Sequence, residues 1–224
     1  MNFAALWLSL RLAAWVSAIL LLIGLPLAYW ITYSRWRWKF LVESVVALPL
    51  VLPPTVLGFY VLVALGPRSP LGRVWQSAFG HGFAFTFTGL VVASVLYSLP
   101  FAVQPLAASF SRVDRKLLDA SALLGASRPR SFFRVILPLS MPGLVTALVL
   151  SFAHTLGEFG VVLMVGGNIP GVTRTISIAI YDDVQALAYT DAGWTALVLL
   201  VVSFVVLSFV YAINRRVWTL WPAK

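Results

Sequence analysis

"DASALLGASRPRSFFRVILPLSMPG", residues 119–143, lies between two long apolar runs. It opens with helix formers and a glycine at Gly125. It then passes Arg128, Arg130 and Arg134 and returns to apolar sequence through Pro138 and Pro142. Just upstream, Ser111 stands three residues before Asp114, in a capping-box arrangement that marks a helix start. Val113, Leu117, Ala120 and Leu124 recur at helical spacing, with Leu118 and Ser121 on the neighbouring stripe. Gly125 accepts a left-handed backbone and can end the helix. Ser127 is placed to cap the next one, and Pro129 fits its first turn. The stretch therefore predicts a short basic amphipathic helix followed by a sharp bend. Two readings stand: a connector lying on anionic lipid, or a docking helix for another protein. Alanine and glycine at close positions let a partner's backbone approach, which favours docking.

Outward from this stretch the chain is apolar in blocks. Of 224 residues, 61% are hydrophobic and 10% charged, well short of the charge a soluble domain carries on its surface. Apolar blocks of this length read as membrane spans. The expected fold is all-α and polytopic. Its five spans fall at about 12–33, 41–65, 83–110, 143–165 and 192–213, with a loop at about 111–134, in one membrane domain over 8–213. Pro49, Pro53 and Pro54 lie in the second span, and Pro100 and Pro105 are expected to interrupt the third. "YSRWRWKF" after the first span reads as a basic, aromatic interfacial belt. The first span lacks a basic leader and continues to full length, so it reads as a retained helix.

The net charge is +9. The basic residues cluster beside apolar runs, which points to membrane orientation and not to nucleic acid. Arg35, Arg37 and Lys39 follow the first span. Arg112, Arg115, Lys116, Arg128, Arg130 and Arg134 follow the third, and Arg215, Arg216 and Lys224 the fifth. The other loops hold only Arg68, Arg73 and Arg174, with Asp182, Asp183 and Asp191. Five spans put all three basic groups on one face. The expectation is a cytoplasmic C-terminus and an N-terminus outside.

The chain has no cysteine and two histidines. No G-x-x-x-x-G-K-[ST] occurs, and none of Lys39, Lys116 and Lys224 precedes Ser or Thr. Any ATPase driving this protein is a separate polypeptide. His154 and Glu158, four residues apart, share a helix face in this reading, but without H-E-x-x-H or a third ligand they make no metal centre. No catalytic residue, metal or cofactor is expected. Glu158 at membrane depth should face protein or water. A gate or an inter-helix hydrogen bond is the reading for it. His154 reads either as a cavity-lining donor or as a packing residue. Thr55, Ser94, Tyr97, Ser98 and Thr155 offer hydroxyls, and amides freed near Pro53, Pro54, Pro100 and Pro105 offer further donors beside a cavity.

The opening stretch resembles the cytoplasmic EAA loop of ABC-importer permeases, E-A-A-x-x-x-G followed further on by L-P. Asp119, Ala120 and Ser121 stand at the E-A-A positions, Gly125 at the glycine, and Leu137-Pro138 at the later pair. "LPLVLPPTVLGFY" (48–60) and "SFAHTLGEFGVVLMVGGNIPGVTRTIS" (151–177) resemble the second and fourth spans of molybdate permeases. The resemblance implies the type I importer permease fold in a prokaryotic inner membrane, working as a homodimer. It implies that Leu117, Leu118, Asp119, Ala120, Ser121, Leu124, Gly125, Ala126 and Ser127 form a coupling helix seated in one subunit of a cytoplasmic ATPase dimer. It also implies an extracytoplasmic oxyanion-binding protein and a pathway or gate near Pro53, Pro54, Thr55, Ser98, His154, Thr155 and Glu158. Molybdate is the expected cargo, with tungstate and sulfate as alternatives of like charge and shape. A rival of another class is an ATP-independent channel or secondary transporter, which the lack of a visible inverted repeat disfavours.

Overall fold

The computed structural model describes residues 2–220. Among them, helix α1 (Phe3–Tyr33) is followed by α2 (Lys39–Leu50, its last turn 3₁₀), α3 (Pro54–Leu65), α4 (Pro70–Phe79) and α5 (Phe87–Ser111). Next come α6 (Arg115–Leu123), α7 (Arg128–Leu139), α8 (Met141–Gly157), α9 (Gly160–Gly166), α10 (Ile176–Gln185) and α11 (Tyr189–Leu220).

Side-chain contacts fix the relative directions. The Arg11 guanidinium lies 3.9 Å from the Phe87 ring centroid, and Tyr33 Oη donates to the Phe110 carbonyl at 2.9 Å. So α1 and α5 run parallel, start beside start and end beside end. The chain from Ser34 to Thr86 must then cross from one end of the bundle to the other, and α2 with α3 makes that crossing. α8 and the α9 that follows it run against α5: Gly143 abuts Ser109 near one end, His154 meets Ser98 at mid-length, and Gly166 of α9 abuts Leu90 near the other end. The Ile176 N–H donates to Ser9 Oγ at 2.8 Å, which holds α10 at the end where α1 begins. α11 starts from that end and packs on α8 and α10.

Three helices are long and apolar enough to cross a membrane alone: α1, α5 and residues 189–209 of α11. Counting each of two bent pairs as one span, α2 with α3 at 114° and α7 with α8 at 75°, gives up to five. The first bend has a clear cause. Pro54 pushes the residue before it out of helical conformation, and Pro53 sits at φ −54°, ψ 137°. At the second, Pro138 and Pro142 bracket Ser140, and Phe132–Ile136 is wound as a π-helix. Isolated Pro100 and Pro105 do not interrupt their span as expected. α5 is continuous through both, because a bundle helix packed on α1, α8 and α9 can absorb single lost hydrogen bonds. Ser111 is likewise a correction: it closes α5, and α6 is capped by Asp114, whose carboxylate accepts from the Lys116 N–H at 2.9 Å.

The core forms along α1, α5 and the α8–α9 span. Leu12, Val16, Leu20, Leu90, Ala102 and Val162 fill one half, and Ala28, Val103, Leu106, Phe110, Ile136 and Ala147 fill the other. A third cluster, Val61, Phe83, Ala93, Val161 and Val165, holds α3 against α5 and α9. Of the basic residues used for orientation, Lys224 lies outside the described residues.

Candidate translocation pathway and coupling site

The short helix of the basic loop ends as its glycine requires. Gly125 has φ +76°. The Ala126 N–H donates to the Ser121 carbonyl at 3.0 Å and the Gly125 N–H to the Ala122 carbonyl at 2.9 Å, the paired bonds of a Schellman closure. Ser127 stands at the start of α7, although its side chain makes no capping bond. Ser121 Oγ meets Ser131 Oγ at 2.6 Å and ties α6 to α7. No residue of α6 is buried, and Leu123 and Leu124 are 89% and 88% exposed, with Leu117 also exposed. Apolar side chains thus project from a helix whose ends and bend are fixed.

The second feature is a cavity of about 620 Å³ lined by Pro54, Thr55, Tyr97, Ala153, His154, Gly157, Glu158, Phe159 and Gly160. It forms where two spans lose their helical path at the same level. α3 begins at Pro54. α8 ends at Gly157, Glu158 turns extended (φ −69°, ψ 138°), and α9 begins at Gly160. A Cβ on Gly160 would lie 2.7 Å from the Pro54 Cβ, and one on Gly58 2.7 Å from the Met164 Cβ. Glycine is what lets α3 and α9 come this close.

His154 and Glu158 do not share a helix face, since the helix stops between them. His154 stacks on Phe101 with centroids 3.9 Å apart and packs against Tyr97 at 4.9 Å. Its Nδ1 lies 2.9 Å from Ser98 Oγ, which is also 3.2 Å from Thr155 Oγ1. Glu158 is 5% exposed, and neither carboxyl oxygen has a hydrogen-bond partner. Ser94, also buried, has a hydroxyl with no partner. No lysine or arginine lines the cavity.

Of the residues expected to mark a pathway, Pro54, Thr55, His154 and Glu158 line the cavity. Ser98 and Thr155 stand behind it, Ser98 bonded to both His154 and Thr155. Pro53 makes the bend without lining the space. Sequence reasoning missed Phe101, Ala153 and Phe159; nothing in the apolar pattern sets them apart from their neighbours. Among the described residues no three His, Cys, Asp or Glu side chains cluster as a metal site would need.

The chain is 49% identical over 214 residues to the molybdenum transport system permease protein ModB of Azotobacter vinelandii, covering 96% of this chain and 95% of that one. It is 40% identical over 183 residues to ModB of Escherichia coli K12, 80% of each chain. It is 31% identical to a probable sulfate transport system permease protein cysT of Chlorokybus atmophyticus, over 86% of this chain and 68% of that one. Among solved structures, its fold matches a chain of the MetNI methionine ABC transporter (TM-score 0.74, 16% identity, 95% and 94% covered). It also matches a chain of a bacterial ABC transporter involved in alginate import (TM-score 0.73, 20% identity, 93% and 78% covered). The model of the family described as "binding-protein-dependent transport system inner membrane component" matches residues 21–219. Nearly the whole bundle, both bent spans and the α6 loop fall within that match, and the chain belongs to this family of multi-pass inner-membrane transport subunits.

Proposed function

We propose that the chain is the permease subunit of an ATP-driven molybdate importer, with the cavity between Pro54 and Glu158 on the cargo's path. The carrying observation is that two spans break at one cavity, where Thr55, Tyr97, His154 and Glu158 stand in a mostly apolar wall. A continuous apolar bundle has no use for such a break, whereas a pathway needs one. The assignment of molybdate draws its support from relatives named as molybdenum permeases that align along most of the chain. Tungstate or sulfate is the second reading, favoured by the more distant sulfate relative.

The lining suits passage over capture. Thr55, Tyr97 and His154 offer hydrogen-bond donors, and no lysine or arginine is present to hold a dianion tightly. Glu158, buried with no cationic partner, gives an anion nothing to bind, which suits a gate better than a capture site. Selectivity then rests largely with a separate extracytoplasmic binding protein. The exposed leucines of α6 meet a cleft in each subunit of a cytoplasmic ATPase dimer, and two copies of this chain enclose the path. ATPase closure would move α6, and Ser121–Ser131 would pass the displacement through α7 to α8 and the cavity. The N-terminus lies outside and the α6 loop in the cytoplasm. The test is uptake by vesicles containing all subunits: molybdate uptake requires ATP and is competed by tungstate before sulfate. Uptake by this chain alone, without ATPase, would overturn the reading.

A further inference from the structure

A second cavity, about 270 Å³, opens at the basic end of the bundle between the end of α1 and helix α6. Its walls include Arg35, Lys39 and Arg115, with the Tyr33 and Ser34 side chains and one carboxylate, Asp119. Three cations thus face one acid. Lys39 Nζ is partly engaged, 3.2 Å from the Ile31 carbonyl and 3.9 Å from Glu43. That engagement offsets the negative carbonyl end of α1, which would otherwise repel an anion. Arg35 and Arg115 have no ion-pair partner among the described residues, and both are exposed.

The surroundings say which anion fits. Trp36, Trp38 and Phe40, exposed, adjoin Arg35 and Lys39 in the chain, and Leu41 and Val45 are exposed along α2. Indole rings at the end of a span sit at headgroup level, and exposed aliphatic side chains below them face acyl chains. The cavity is smaller than the ~300–1,000 Å³ that encloses a whole small molecule, so a compact head with its apolar part lying outside is the natural occupant. We propose that this cavity binds the phosphodiester head of an anionic phospholipid, clamped between Arg35 and Lys39 at the end of α1 and Arg115 on α6. The lipid would bridge the membrane-embedded bundle and the helix that meets the ATPase. The proposal stands independently of the cargo.

The test uses the assembled transporter in detergent, with retained lipid counted by native mass spectrometry after exposure to phosphatidylglycerol or phosphatidylcholine. Arg35→Gln and Arg115→Gln remove unpaired exposed charges, so the fold has no reason to fail. Each should lower phosphatidylglycerol occupancy about fivefold, with phosphatidylcholine unchanged. Arg68→Gln/Arg73→Gln, at the opposite end, should leave occupancy as in the parent. Three results would overturn the proposal: full phosphatidylglycerol retention in the Arg35/Arg115 double variant, equal loss in the Arg68/Arg73 control, or displacement of the lipid by millimolar inorganic phosphate or molybdate. The last would mark the cavity as a site for free oxyanions.

Discussion

Pro54 and Gly160 touch where two half-helices begin, one in each broken span, with room for no side chain on the glycine. That contact sets the width of the cavity beside it. Gly160→Val should cost about 1–3 kcal/mol through overpacking, seen as a lower unfolding temperature of the purified complex together with lost uptake. Gly157→Ala is the matched control, since a Cβ there meets nothing within 4 Å. It should keep the unfolding temperature while narrowing the cavity. A Gly160→Val protein as stable as its parent would show that the close approach is not needed.

The α6 leucines can be tested separately from folding. Leu123 and Leu124 touch almost nothing in the chain, so Leu123→Glu/Leu124→Glu should leave expression and unfolding temperature unchanged. Burying those charges against an ATPase would cost several kcal/mol, and co-purification of the ATPase should fall by at least about tenfold. Gly125→Pro attacks the same contact by another route, because proline cannot adopt φ +76°. It should uncouple ATP hydrolysis from uptake without blocking membrane insertion. ATPase recovered at parental stoichiometry with both variants would remove α6 from the docking role.

What the sequence made legible, and what it did not, follows from the reach of each signal. The α6 closure was readable because glycine and helical spacing act within a few positions, whereas its cap fell on Asp114 and not on Ser111. The effect of the prolines was not. Consecutive Pro53 and Pro54 break a span because the first is forced extended by the second, while Pro100 and Pro105, four residues clear of each other, are absorbed by a packed helix. The turn at Glu158 carries no proline, and it undid the shared helix face expected for His154 and Glu158. The Ser98–His154 bond joins residues 56 positions apart. Periodicity can mark each as polar at depth, but only packing pairs them.

Glu158 gives a prediction in which charge and shape separate. Its carboxyl is buried without a partner, so Glu158→Gln keeps the volume and removes a group that is costly to bury ionised. The unfolding temperature should hold or rise. Uptake rate should change, since a gate residue on the path is altered, but the preference for molybdate over sulfate should not, because a gate residue does not select between dianions of like charge and shape. Lost preference in an assembled, stable complex would mean that Glu158 contacts the cargo directly.

Orientation rests on charge and on parallel helices together. α1 and α5 end at the same face, and that face carries Arg35, Arg37, Lys39, Arg112, Arg115 and Lys116. The opposite end carries Arg11, Arg68, Arg73 and Arg174, with Asp182, Asp183 and Asp191. Short loops rich in arginine and lysine stay cytoplasmic, so the proposed orientation expects Asn2 and Arg73 outside. The chain has no cysteine, so single introduced thiols report without background. In intact cells a membrane-impermeant maleimide should label Asn2→Cys and Arg73→Cys, and should reach Lys116→Cys only after the membrane is opened. The reverse pattern would invert the topology and move α6 away from any cytoplasmic ATPase. Labelling of Asn2→Cys and Lys116→Cys from the same side would instead break the parallel arrangement of α1 and α5.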